Sequence, residues 1–176
     1  MTREILLSGF GGQGILFTGK FLAYQGLLAD KNVSWLPSYG PEMRGGTASC
    51  SVIISDEPVG SPIISEPDIL IAMNLPSFEK FVPTVKKGGI VIADSSLIEA
   101  KTDRDDIDAY YIPATGLASD MGKQSLANMI ILGKLLSVLG EFDEENIKAT
   151  LQKVIPPKKA EMLEINMNAI KIGAQN

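Results

Sequence analysis

The sequence contains no histidine and only one cysteine, Cys50. The first absence removes the commonest general base, the histidine-based catalytic triads and most zinc sites. The second excludes an internal disulfide and any metal or iron–sulfur centre assembled from cysteines of this chain. A lone thiol fits a reducing compartment. Basic charge is also short: 16 Lys and Arg against 21 Asp and Glu give a formal net charge of −5. The basic footprint that binds nucleic-acid backbones is therefore missing. No run approaches the ~18 apolar residues of a membrane span. The first residues, Met1–Leu7, include Arg3 and Glu4 and soon meet glycines, unlike a signal peptide. These features predict a soluble, cytoplasmic chain with no membrane or nucleic-acid partner.

What is present is an ordinary globular composition. The 176 residues are 45% hydrophobic and 21% charged, enough for one domain, residues 1–176, with a sizeable core. There are no repeats, low-complexity tracts or domain linkers.

Short apolar runs at Ile5–Leu7, Val33–Leu36, Ile69–Met73, Ile90–Ala93 and Tyr110–Ile112 read as strands. The second of these is expected to end at Pro37. Thr47–Ser55 alternates, with Ala48, Cys50, Val52 and Ile54 on one side, as a half-buried strand does. The punctuation at residues 56–62 suggests a hairpin arm after it. Helices are predicted over Ile15–Ala29, over Pro76–Lys87 with a kink at Pro83, and over Ser119–Leu139 as one long element stopped by Gly140. Two more follow, Asp143–Val154 capped by Asp143, and Lys158–Ile172 ending at Gly173. Strands separated by helices define an α/β fold, a three-layer domain with a mostly parallel sheet and helices on both faces. Thr47–Ser55 is expected to add an antiparallel edge strand.

Two glycine-punctuated loops stand out, each after a predicted strand. The first is Gly9-Phe10-Gly11-Gly12-Gln13-Gly14. Its Gly-x-Gly-x-x-Gly spacing, with a strand before and a helix after, fits the dinucleotide fingerprint, in which exposed amides at a helix start attract an anion. The acid that such a fingerprint needs after the second strand is missing. That strand ends in Leu36-Pro37-Ser38-Tyr39, and Asp30 precedes it. A tight strand-to-helix turn with no nucleotide explains the glycines equally well. No Lys-Ser or Lys-Thr pair follows Gly14, so ATP hydrolysis is disfavoured. The second loop is Tyr39-Gly40-Pro41-Glu42-Met43-Arg44-Gly45-Gly46. Arg44 between glycines can reach an anion as a planar fork. Alternatively, it pairs with Glu42 to steady a surface turn. Cys50 reads as a small buried hydrophobe, and Asp94 either as a functional acid at a strand end or as a cap for Ser95 and Ser96.

With these two loops, together with Asp68-Ile69-Leu70-Ile71-Ala72, Ala127-Asn128-Met129 and Leu132-Gly133, the chain resembles the γ subunit, or γ domain, of the 2-oxoacid:ferredoxin oxidoreductases. The resemblance covers essentially the whole chain, and the second loop is its more specific part. It implies membership of a hetero-oligomer that converts a 2-oxo acid and coenzyme A to acyl-CoA, CO2 and reduced ferredoxin. The implied partners are α and β subunits that hold thiamine diphosphate and magnesium, and a ferredoxin-like δ subunit, with [4Fe-4S] clusters on these partners and ferredoxin as electron acceptor. It further implies that this chain binds no cofactor alone, carries no catalytic residue, and uses Gly9, Gly11, Gly12, Gln13, Gly14, Tyr39, Gly40, Pro41, Glu42, Arg44, Gly45 and Gly46 toward coenzyme A and the partner subunits. Pyruvate, 2-oxoglutarate and branched-chain acids such as ketoisovalerate are all open as substrates, with a lean to the last two. A free-standing nucleotide-binding enzyme and a pure scaffold are the competing expectations.

Overall fold

A computed structural model describes residues 1–38 and 47–176. Six strands form one sheet: β1 (Thr2–Phe10), β2 (Asn32–Ser38), β3 (Thr47–Ser55), β4 (Ile69–Ala72), β5 (Ile90–Asp94) and β6 (Asp108–Ile112), in the order β2-β3-β1-β4-β5-β6. β1, β4, β5 and β6 pair in parallel, with Ile5 opposite Ile69 and Ile69 opposite Ile90. β3 runs antiparallel to both its neighbours. The antiparallel component expected of Thr47–Ser55 is therefore present with the expected bounds, one place in from the edge. The edge itself is β2, which runs on through Pro37, opposite Cys50. Proline is tolerated there because an edge strand leaves half its amides without a ladder partner.

The central strand β4 is buried along its whole length, as an apolar run covered on both sides must be. Its odd and even side chains divide the core in two. Ile69 and Ile71 join Ile5, Leu7, Cys50, Val52 and Ile92 beneath α1 (Ile15–Leu28), α3 (Ala114–Asp120), α4 (Ala127–Val138), α5 (Glu144–Val154) and α6 (Met162–Gln175). Leu70 and Ala72 join Leu6, Val91 and Ala93 beneath α2 (Leu75–Phe81) and the 3-10 turn Val82–Thr84 that Pro83 imposes.

Several local expectations are corrected. Residues 56–68 form no hairpin arm and run irregularly from β3 to β4. The predicted helix Ser119–Leu139 is two helices. Gly122 adopts φ 75° and ends α3, with the Lys123 amide bonded back to the Ala118 carbonyl, a left-handed stop ahead of the apolar spacing that begins at Leu126. Gly140 (φ 67°) does stop the second of them. Gly173 stops nothing, since α6 continues to Gln175 and Gly173 lies buried within it. α5 is capped as expected, Asp143 accepting from the Asn146 amide at 2.8 Å.

Candidate functional site

β1 and β2 point the same way, both being antiparallel to β3, so the Gly9–Gly14 loop and the carboxyl end of β2 lie at one end of the sheet. From β1 the chain passes through α1 to one side of the sheet, and β4 lies on the other. The loop after β1 therefore sits at the point where strand order reverses, where open α/β sheets form their binding crevice. The ladder sets Phe10 opposite Thr47, so residue 47 re-enters the sheet beside the first loop. Tyr39, Gly40, Pro41, Glu42, Arg44, Gly45 and Gly46 lie outside the described residues.

Gly9, Gly11, Gly12, Gln13 and Gly14 make one tight turn. Gln13 builds it from inside: its Oε1 accepts from the Phe10 amide at 2.6 Å, and its Nε2 donates to the Met73 carbonyl at 2.9 Å. The loop from β1 is thereby tied to the end of β4. Gly9 has no room for a side chain, because a Cβ would lie 2.6 Å from Gln13 Oε1 and 3.0 Å from Met73 Cβ. Gly12 has φ 93° with open space around it, and Gly14 has φ 80°. The glycines thus have distinct reasons: close packing at Gly9, a left-handed backbone at Gly12 and Gly14.

Gly14 is the N-cap of α1 and brings no side-chain cap, and the first turn of α1 holds no acidic residue. The first amides of a 14-residue helix therefore face outward at its positive end, as an anion would require. The second strand ends in Leu36-Pro37-Ser38, so the described residues place no ribose-binding acid at its carboxyl end. Asp30 instead takes the left-handed position (φ 55°) after α1.

Sequence reasoning gave no role to the polar groups beneath this corner. Asn128 on α4, 4% exposed, donates through Nδ2 to the Gly14 carbonyl at 3.3 Å and to Thr18 Oγ1 at 3.2 Å. On the other face of the sheet, Asn74 caps α2, its Oδ1 accepting from the Ser77 amide at 2.8 Å. Ser8 Oγ lies 2.9 Å from Ser77 Oγ and donates to the Ala48 carbonyl. Asn74-Leu75-Pro76-Ser77 carries a legible N-cap signal, Asn followed by proline in the first turn; Asn128 carries none, being one polar residue on an apolar helix.

Two other expectations resolve. Cys50 is fully buried, and burial pushes its thiol up to about 11 against a smaller opposing hydrogen bond with Trp35. It is a packing residue, pressed against Gly19, where a Cβ would lie 2.4 Å from Cys50 Sγ. Asp94, also fully buried, accepts from Thr115 Oγ1 at 2.6 Å and from the Ser96 amide at 3.1 Å, so it ties β5 to the start of α3. Among the described residues no group of three His, Cys, Asp or Glu could hold a metal ion, and no helix is long and apolar enough to cross a membrane.

Fold and site together define an α/β unit with a glycine loop at the switch point and no acid–base or nucleophilic pair of its own among the described residues. Residues 4–176 match the family described as pyruvate ferredoxin/flavodoxin oxidoreductase, and the chain belongs to it. It is 36% identical to the ketoisovalerate oxidoreductase subunit VorA of Methanothermobacter marburgensis over 172 residues, covering 97% of this chain and 36% of VorA. The chain thus spans about a third of the length of those relatives. It is 37% identical to the 2-oxoglutarate synthase subunit KorC of Methanocaldococcus jannaschii over 159 residues, 89% of this chain and 85% of KorC. Among solved structures, the γ subunit of a keto/oxoacid ferredoxin oxidoreductase from Geobacter sulfurreducens PCA superposes with a TM-score of 0.81 at 28% identity, covering 98% of this chain and 96% of that one. The 2-oxoglutarate:ferredoxin oxidoreductase of Magnetococcus marinus, solved with 2-oxoglutarate, coenzyme A and succinyl-CoA bound, gives 0.85 at 26% identity, covering 99% of this chain and 31% of that one. The relatives are subunits of a ketoisovalerate oxidoreductase and a 2-oxoglutarate synthase, and the Geobacter structure is a γ subunit of a keto/oxoacid ferredoxin oxidoreductase, the family that the sequence resemblance implied.

Proposed function

We propose that this chain is the γ component of a cytoplasmic, multi-subunit 2-oxoacid:ferredoxin oxidoreductase. The complex converts a 2-oxo acid and coenzyme A to acyl-CoA and CO2 and passes two electrons to ferredoxin. Its α and β subunits hold thiamine diphosphate and magnesium, which supply the electron sink for loss of CO2. [4Fe-4S] clusters on β or a ferredoxin-like δ subunit carry the electrons onward. A chain with one buried cysteine and no histidine offers no ligand set for a cluster, in keeping with that division of labour. Residues 1–176 act as a single domain, and the substrates best matched by the relatives' names are 2-oxoglutarate and ketoisovalerate.

The observation that carries this reading is the Gly9–Gly14 loop at the switch point, with the uncapped start of α1 behind it. The chain's own contribution is binding and orientation. Amides at the start of α1 hold an anionic group, and Arg44, which precedes Thr47 in the sequence by three residues, forks onto the same group. A coenzyme A phosphate is the anion of choice, and a partner's carboxylate is the alternative. Arg44→Ala in the assembled complex tests it. The expected result is a coenzyme A KM raised about tenfold, the worth of one charge-assisted pair. Unchanged KM and turnover would overturn the coenzyme A role, and impaired assembly with unchanged kinetics would mark the loop as scaffold.

A further inference from the structure

The α4 side chain beneath the glycine loop is bonded in an unbalanced way. The Gly14 carbonyl, with two lone pairs, receives three donors: the Thr18 amide at 3.0 Å, Thr18 Oγ1 at 3.2 Å and Asn128 Nδ2 at 3.3 Å. The other end of the same carboxamide, Asn128 Oδ1, is buried with no partner. The carboxamide therefore turns its positive, N–H end toward the α1 N-cap. A Cβ at Gly14 would lie 2.4 Å from Asn128 Nδ2. Two positive dipole ends, that of a 14-residue helix and that of a side chain 4% exposed, meet at one point with no acid in the first turn to balance them.

We infer that Asn128 is a positioning residue for the anionic group bound at the start of α1, acting through Gly14. It is bonded to the carbonyl of Gly14, the residue at φ 80° that caps α1, and its neutral carboxamide leaves the positive potential of the helix start available to the ligand. A carboxylate in its place loses the donations to the Gly14 carbonyl and to Thr18 Oγ1, and its charge cancels the potential an anion needs. This inference rests on the proposed role of the loop in receiving coenzyme A.

The test is Asn128→Asp in the assembled complex, with Asn128→Ala as a second variant that removes the contact without adding charge. Two readouts apply: steady-state kinetics, and hydrogen exchange of residues 11–17 with and without coenzyme A in the absence of 2-oxo acid. For Asn128→Asp we expect a rise of tenfold or more in coenzyme A KM, kcat within about twofold, the 2-oxo acid KM unchanged, and loss of the protection that coenzyme A gives residues 11–17. Asn128→Ala is expected to raise the same KM less. If Asn128→Asp leaves KM and protection at wild-type values while Arg44→Ala raises KM, the inference is wrong and the loop's role stands. If neither substitution moves KM and coenzyme A protects nothing at 11–17 in the wild type, the coenzyme A role fails and the inference falls with it.

Discussion

Gly133 of α4 and Gly173 of α6 meet the backbone of each other's helix. A Cβ at Gly133 would lie 1.9 Å from the Ile170 carbonyl oxygen, and one at Gly173 would lie 1.8 Å from the Ile130 carbonyl oxygen. This reciprocal crossing presses α6 onto the helix that carries Asn128. Backbone cannot yield as a flexible side chain does, so Gly133→Ala and Gly173→Ala should each cost about 3 kcal/mol or more. Calorimetry should show Tm falling by roughly 6–12 °C, at ~2–4 °C per kcal/mol for a domain of this size. An unchanged Tm in either variant contradicts the crossing.

Gln13 is the internal brace of the first glycine loop. Gln13→Leu removes both its bonds, to the Phe10 amide and the Met73 carbonyl, at a cost of ~1 kcal/mol for each broken bond. The loosening is local. Amide exchange at residues 10–14 should accelerate tenfold or more, while strands β4 and β5 keep their protection. Uniform acceleration across the sheet would show instead that Gln13 supports the global fold.

Cys50 should be silent to thiol reagents. Its pKa is raised from 9.0 to about 11 by burial, and the thiolate is the reactive form. Alkylation at pH 8 should proceed only on unfolding. The raised value also gives a sign: the contribution to stability is complete below pH 9 and is lost as pH rises through about 11, because the unfolded chain ionises first. Denaturation curves at pH 8 and pH 10.5 should differ less for Cys50→Ala than for the wild type. Rapid labelling of the native chain would refute the buried setting.

At the opposite end of the sheet from the Gly9–Gly14 loop, Asp56 is held down to about 2, first by its hydrogen bond with Lys31 and then by the terminal amine. A depressed carboxyl adds stability above its ordinary range near pH 4 and loses it as pH falls through about 2. Lys31→Met should raise the Asp56 midpoint, followed by NMR titration, toward the ordinary value of ~4. An unmoved midpoint would mean that Lys31 is not the cause.

The parts of this molecule that were legible in the sequence follow one rule each. Apolar runs marked β4 and β5, alternation marked β3 with its true bounds, and Asp143 marked the start of α5. The errors came where two rules competed at one residue. Within Ser119–Leu139 the apolar spacing begins only at Leu126, and Gly122 at φ 75° ends α3 ahead of it. Gly173 looks like a helix stop but is a glycine of close approach, and only the position of Ile130 reveals which. At the candidate site the glycines of the first loop were legible by spacing. Asn128 was not, because its meaning comes from Gly14, which lies 114 residues away in sequence.

The most direct test of the γ-component account is anaerobic purification of this chain from its source cells, without stripping its partners. The account predicts co-purification with two thiamine-diphosphate-binding subunits, iron–sulfur absorption, and ferredoxin reduction that requires both coenzyme A and a 2-oxo acid. A colourless chain recovered alone under those gentle conditions, with no such activity in its fractions, would contradict it.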